Sequence, residues 1–149
     1  MRLACGFDHA GEALRETVLG ALRDAGHEAH DLGVADDYPD VALAVARAVH
    51  EGAAGRGVAV CGSGAGVSVA ACKLPGIRAA TCHDHYSAAQ CVSHDDCNVL
   101  CLGARVVGSA VAAELVVAFA EAAFSGEERH ARRLTRVQAL EDRGWGSGA

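Results

Sequence analysis

Residues 58–66, VAVCGSGAG, decide how the rest of the chain is read. The run is apolar without alternation as far as Cys61, which suits a strand covered on both faces and not one half-turned to water. Three of the next five residues are glycine, and GVSVAACK then opens a helix. A buried strand that turns through glycines into a helix is one unit of a parallel sheet sandwiched between helices.

The same alternation extends in both directions. Residues 2–8 read as a strand, and residues 11–26 as a helix with apolar positions at Leu14, Val18, Leu19 and Leu22, closed by Gly26. Strands follow at 27–33, 56–62, 76–82 and 98–104, and helices at 38–52, 64–73, 84–92 and 108–124. The expectation is one α/β domain, a five-stranded parallel sheet in a three-layer α/β/α arrangement. Residues 126–143 have little to bury except Leu134, Val137 and Leu140, so they predict an extra C-terminal helix that packs on a neighbouring element or a second subunit. The end, from about residue 143 to 149, reads as frayed.

With 149 residues the chain can bury a core without metals or disulfides. Seven cysteines, an odd number, fit small buried hydrophobes in a reducing compartment better than a disulfide framework. No apolar run reaches the length of a membrane span and no signal-peptide pattern opens the chain, so a cytoplasmic protein is expected. A net charge of −6 argues against a nucleic-acid binder. The basic cluster in residues 129–143 fits a small anion better than a long polyanion.

In an open parallel sheet the ligand lies beyond the carboxyl ends of the strands. The loops to read are therefore DHAGE, CGSGAG, CHDHYS and GARVVG. Glycine N–H groups at a helix start can cradle negative charge, although CGSGAG matches neither the P-loop nor the dinucleotide pattern. The plainer alternative is a tight strand-to-helix turn. Cys61, at a strand end and beside those donors, is placed to act as nucleophile or base. Cys5, Cys72, Cys91 and Cys101, inside apolar segments, read as buried hydrophobes.

Asp8 and His9 end the first strand and would face the cysteine loop; the alternative is helix capping by Asp8 with His9 exposed. His94, with two carboxylates just before the fifth strand, is a candidate acid or base, or else surface. Arg129, Arg133 and Arg136 fall on one helical face and could clamp a phosphate, or form a solvated face paired with Glu127, Glu128 and Glu141. CHDH and the series Cys91, His94, Cys97, Cys101 lack the spacing of structural zinc, and no metal or other cofactor is expected.

In order and spacing, GFDHAG, DYP, VCGSGAGVSVAACK, PGIRAATCHDHYSA, NVLCLGARVVG and RHARR resemble the ribose-5-phosphate isomerase B / galactose-6-phosphate isomerase family, over about residues 2–142. The resemblance implies a Rossmann-like fold, metal-free aldose–ketose interconversion, and a homodimer or dimer of dimers with sites at the subunit interface. It implies that Cys61 is the base that moves a proton between C1 and C2 through a cis-enediolate and that Ser63 relays a proton between the oxygens. The backbone at Gly62, Gly64, Ala65 and Gly66 would hold the enediolate charge. Asp8 and His94 match residues that open the furanose ring, and His9, Arg105, Arg129 and Arg133 match phosphate contacts. Asp95 and Cys72 stand where family members often carry Asn, which leaves the substrate open between ribose 5-phosphate, a tetrose 4-phosphate such as erythrulose 4-phosphate, and a hexose 6-phosphate. A non-catalytic sugar-phosphate-binding subunit is the alternative from another class.

Overall fold

The computed structural model describes residues 1–144 and 146. The strands are β1 (Arg2–Asp8), β2 (Glu28–Ala35), β3 (Arg56–Cys61), β4 (Ala79–Thr81) and β5 (Val99–Gly103). The helices are α1 (Arg15–Asp24), α2 (Tyr38–His50), α3 (Ala65–Ala71), α4 (His85–Asp95), α5 (Ser109–Glu121) and α6 (Glu128–Arg143), and a 3-10 turn, Gly11–Leu14, leads into α1. All pairings are parallel, in the order β2-β1-β3-β5-β4. The expected three-layer sheet and the extra terminal helix are both present.

Side-chain alternation along the strands builds the two faces of the sheet. Val58 and Val60 point with Phe7, Leu100 and Leu102 into a core closed by α1, α4 and α5. Ala59 and Cys61 point the other way, with Val99 and Cys101, against α2 and α3. That second layer sits close to the sheet because β3 carries a glycine under it: a Cβ at Gly57 would collide with the side chain of Val45 on α2. Cys61 therefore belongs to the face with the shorter, smaller side chains, at the carboxyl end of the central strand.

β1 and β3 are neighbours, and the chain leaves them in opposite directions, β1 towards β2 and β3 towards β5 and β4. The gap between their carboxyl ends is the topological switch point, where doubly wound sheets hold ligands. Asp8 and Cys61 stand at those two ends.

Three expectations need correction. The fourth helix does not stop at residue 92 but runs through His94 to Asp95, which makes His94 and Asp95 last-turn residues and not part of a loop. Its end is set by Asp96, held at φ 49°, ψ 42°, with Asp96 N–H donating to the Val92 carbonyl and Cys97 N–H to Cys91. That is a left-handed helix stop of the kind usually given to glycine. Second, Cys72 caps the end of α3 and is exposed, whereas Cys5, Cys91 and Cys101 are buried as expected. Third, Glu141 pairs with no arginine; its carboxylate accepts from the Gly76 N–H at 2.9 Å and from Gln138. The frayed-end expectation falls mainly on residues 145 and 147–149, which lie outside the described residues. Among the described residues no helix is long and apolar enough to cross a membrane.

Candidate active site

A cleft of about 340 Å³ opens at the switch point, lined by Asp8, His9, Tyr38, Cys61, Ser63 and Arg105 among others. Gly64 shapes the turn beneath the cysteine loop. Its φ is +80°, and a Cβ there would press on Thr81 Cγ2 at 2.9 Å and on the Leu102 carbonyl carbon at 3.0 Å, so only glycine suits the turn. The turn swings the Gly64 N–H back onto Cys61 Sγ at 3.1 Å. The Thr81 hydroxyl on β4 fixes the same residue from the other side by donating to the Gly64 carbonyl at 3.1 Å.

Cys61 is only 4 % exposed, yet it lines the cleft. The contrast with its neighbours is one of surroundings. Burial pushes the Cys5 thiol up to about 12, and the Cys101 thiol is also raised, by burial first and then by the nearby Cys72 and Cys61. Those two are hydrophobes inside strands. Cys61 instead has a backbone donor on its sulfur and an opening in front of it.

Of the loop amides expected to receive negative charge, two are engaged within the loop: Gly64 N–H on the sulfur, and Ala65 N–H on Ser63 Oγ at 3.2 Å. Gly66, in the first turn of α3, has an N–H with no intrahelical partner. It also packs under the Tyr38 ring, which a Cβ would meet at about 3.0 Å. Tyr38 is a cleft residue that the sequence reading did not single out, although it stands inside the DYP motif.

Asp8 is 5 % exposed, and its Oδ1 accepts from Ala10 N–H at 2.9 Å and Gly11 N–H at 2.7 Å. The capping alternative is thus realised, while the carboxylate still borders the cleft. His9 is exposed and donates from Nδ1 to the Asp36 carbonyl at 3.1 Å, which leaves Nε2 free to face a ligand. Arg105 is exposed too, with its guanidinium folded over Gly62: a Cβ there would lie 3.3 Å from Nη1. Its backbone N–H donates to the Gly62 carbonyl at 3.0 Å, which ties the β5 loop to the cysteine loop.

The remaining expected residues lie elsewhere. His94, Asp95, Arg129 and Arg133 do not line the Cys61 cleft. Asp95 and Arg133 border a larger groove, of about 530 Å³, between the end of α4, β4 and α6, together with Cys72 and exposed Val137 and Leu140. Size does not make it the reacting site, because it holds no nucleophile met by a backbone donor. Arg129 pairs with Glu127 at 2.9 Å, as in the solvated-face alternative. His94 takes a hydrogen bond on Nδ1 from the Gln90 amide at 2.9 Å and stacks on His130, centroids 4.0 Å apart. His130 was not anticipated, although with Leu134 and Val137 it completes an i, i+4, i+7 stripe on α6. Among the described residues no three His, Cys, Asp or Glu side chains gather as a metal site.

A doubly wound parallel sheet with a thiol, a carboxylate and an arginine gathered over a glycine turn at its switch point belongs to the α/β class that binds small anionic ligands between strand ends. A family model described as Ribose/Galactose Isomerase matches residues 3–137, and the chain belongs to that family. It is 40 % identical over 146 residues to ribose-5-phosphate isomerase B of Escherichia coli, covering 95 % of this chain and 97 % of that one. It is 38 % identical over 148 residues to D-erythrulose-4-phosphate isomerase 2 of Mycolicibacterium smegmatis, covering 95 % and 97 %. Among solved structures, type B ribose 5-phosphate isomerase of Trypanosoma brucei superposes with a TM-score of 0.90 at 46 % identity, covering 93 % of this chain and 97 % of that one.

Proposed function

We propose that the protein is a metal-free aldose–ketose isomerase of a phosphorylated sugar, with ribose 5-phosphate and ribulose 5-phosphate as its pair. The observation that carries the reading is the Gly64 N–H aimed at Cys61 Sγ in a cleft at the switch point. An amide donor on sulfur favours the anionic form that a base needs. The Cys61 thiolate takes the proton from C2 of the open-chain aldose, the electron pair moves into a C1–C2 enediolate, and the thiol, which exchanges its proton with solvent, returns a proton to C1. Ser63 passes a proton between O1 and O2, so the sugar is rearranged with no external oxidant or reductant. Free N–H groups at Gly62 and Gly66 face the charge that develops, and the Arg105 guanidinium belongs with the phosphate contacts. Backbone donors of this kind are worth about 10²–10³ in rate each.

His94, Asp95, Arg129 and Arg133 enter as the complement of that cleft, brought by a second copy of the chain. Exposed Val137 and Leu140 on α6 support such an assembly, since 51 % and 70 % exposure on an amphipathic helix leaves apolar surface uncovered. In the homodimer His94 and Asp8 open the sugar ring, and His9, Arg129 and Arg133 hold the phosphate. The free cysteines fit a cytoplasmic, reducing setting. Mixing equal amounts of Cys61→Ser and His94→Gln, each inactive alone, should restore about a quarter of the wild-type rate overall if sites are shared, because half of the dimers are then mixed and each carries one intact site. No recovery, with subunit exchange verified, would mean the two halves do not meet.

A second reading is favoured by the near-full-length relative named as an erythrulose-4-phosphate isomerase, together with Asp95 where an Asn is common. Following hydrogen–deuterium exchange at C2 with four-, five- and six-carbon aldose phosphates separates the two. Fastest exchange with the pentose supports ribose 5-phosphate, fastest with the tetrose replaces it, and none at all makes the chain a binding subunit.

A further inference from the structure

The pair His94 and His130 is built more elaborately than a surface histidine and a core filler would require. His130 starts α6 and is 1 % exposed, one of two buried polar or charged side chains among the described residues. Its Nδ1 lies 2.6 Å from Ser125 Oγ, and Ser125 is itself fixed by its N–H to the Ser93 carbonyl at 2.9 Å and by the Glu127 N–H on its hydroxyl at 3.2 Å. The tether therefore returns to α4, one residue from His94. The two rings stack with centroids 4.0 Å apart and planes 25° from parallel.

The constraints on His94 are complementary. Stacking on His130 sets the plane of the ring, and the Gln90 amide at Nδ1 sets its rotation within that plane. An amide NH₂ can only donate, so Nδ1 accepts, and a neutral His94 carries its proton on Nε2. That nitrogen makes no hydrogen bond among the described residues and is the one left to meet a ligand.

We infer that His130 is a positioning residue for His94, a buried imidazole plate that holds the second ring in one plane and one tautomer with Nε2–H presented outward. The inference deepens the proposed function and rests on His94 acting as the acid that opens the sugar ring. A neutral plate suits this task. The groups that act on His130 are His94 on α4, Arg129 and Arg133 on α6, and Glu127 at its start; burial first, then His94, Arg129 and Arg133, lower its pKa, and Glu127 alone opposes them.

The test uses the full-length protein labelled with ¹⁵N-histidine. Nitrogen-to-ring-proton NMR correlations report the tautomer of His94, assigned by His94→Gln, alongside kcat and KM on ribose 5-phosphate. His130→Ala should turn the single Nε2–H pattern of His94 into a mixture and lower kcat about tenfold with KM within twofold, since a small misplacement of a reacting group costs up to about 10². His130→Phe, which keeps a flat ring, should restore the single tautomer and most of kcat. If His130→Ala does not fold, Ser125→Ala, which frees the plate without removing it, should show the same tautomer mixture. A folded variant in which His94 keeps one tautomer and kcat stays within twofold of wild type overturns the inference. Full turnover by His94→Gln overturns the ring-opening role instead, and the NMR result then stands on the geometry of the pair alone.

Discussion

The two ends of the chain's chemistry are built differently. At the switch point, groups are held by main chain: Gly64 N–H on Cys61, Ala10 and Gly11 N–H on Asp8, and the Gly62 carbonyl on the β5 loop. At α4 and α6, they are held by side chains, Arg129 by Glu127 and His94 by the Gln90 amide and the stacked His130 ring. The first region can be complete in one chain because a parallel sheet brings strand ends together whatever its neighbours do. The second has the chemistry of a site but does not reach the Cys61 cleft of its own chain. Under the proposed function, the isomerising base is seated where the backbone is fixed, and the ring-opening histidine and the phosphate-holding arginines are carried on surface helices.

Three substitutions probe this difference, the strongest first. Cys61→Ala should lower kcat by at least about 10³ while leaving sugar-phosphate binding measurable by calorimetry, as expected when the base itself is removed. Gly64→Ala should lower the unfolding free energy by about 1–2 kcal/mol from its left-handed φ alone and should also reduce kcat, because the donor on the sulfur moves with it. Arg133→Ala should leave the thermal midpoint near that of wild type and raise KM about tenfold with little change in kcat, since a hydrogen bond to a charged group is worth about 1.5–3 kcal/mol. An unchanged KM would remove Arg133 from the phosphate contacts.

The smallest effect concerns a pair remote from both regions. Arg15 donates to Asp31 at 3.1 Å and holds its carboxyl below the ordinary 3.8, with the Gly33 N–H helping. A lowered folded-state pKa contributes stability above the ordinary carboxylate range and loses it as pH falls through the folded value. The difference in melting temperature between wild type and Asp31→Asn should therefore be steady at neutral pH and narrow below about pH 4. A gap that widens in acid would contradict the pairing.

The strands were readable in the sequence because buried parallel strands are continuous apolar runs, and CGSGAG was readable because few turns need so much glycine. Strand order beyond β1 and β3 was not, since nothing in the residues of β4 says that it lies outside β5. The end of α4 was misjudged because its stop is an aspartate in a conformation usually reserved for glycine. Cys72 looked buried by composition, but it caps α3 and faces outward. His130 was hidden among arginines, although it continues the apolar stripe of Leu134 and Val137 on α6.

The hydroxyl of Thr81 on the Gly64 carbonyl has a thermal consequence. β4 is three residues long and lies at the rim of the sheet, paired on one side only, and rims fray at lower free energy than centres. As the protein is warmed, the turn behind the sulfur should slacken while the middle of the sheet is still intact. Heat inactivation should therefore set in several degrees before the circular-dichroism signal begins to fall.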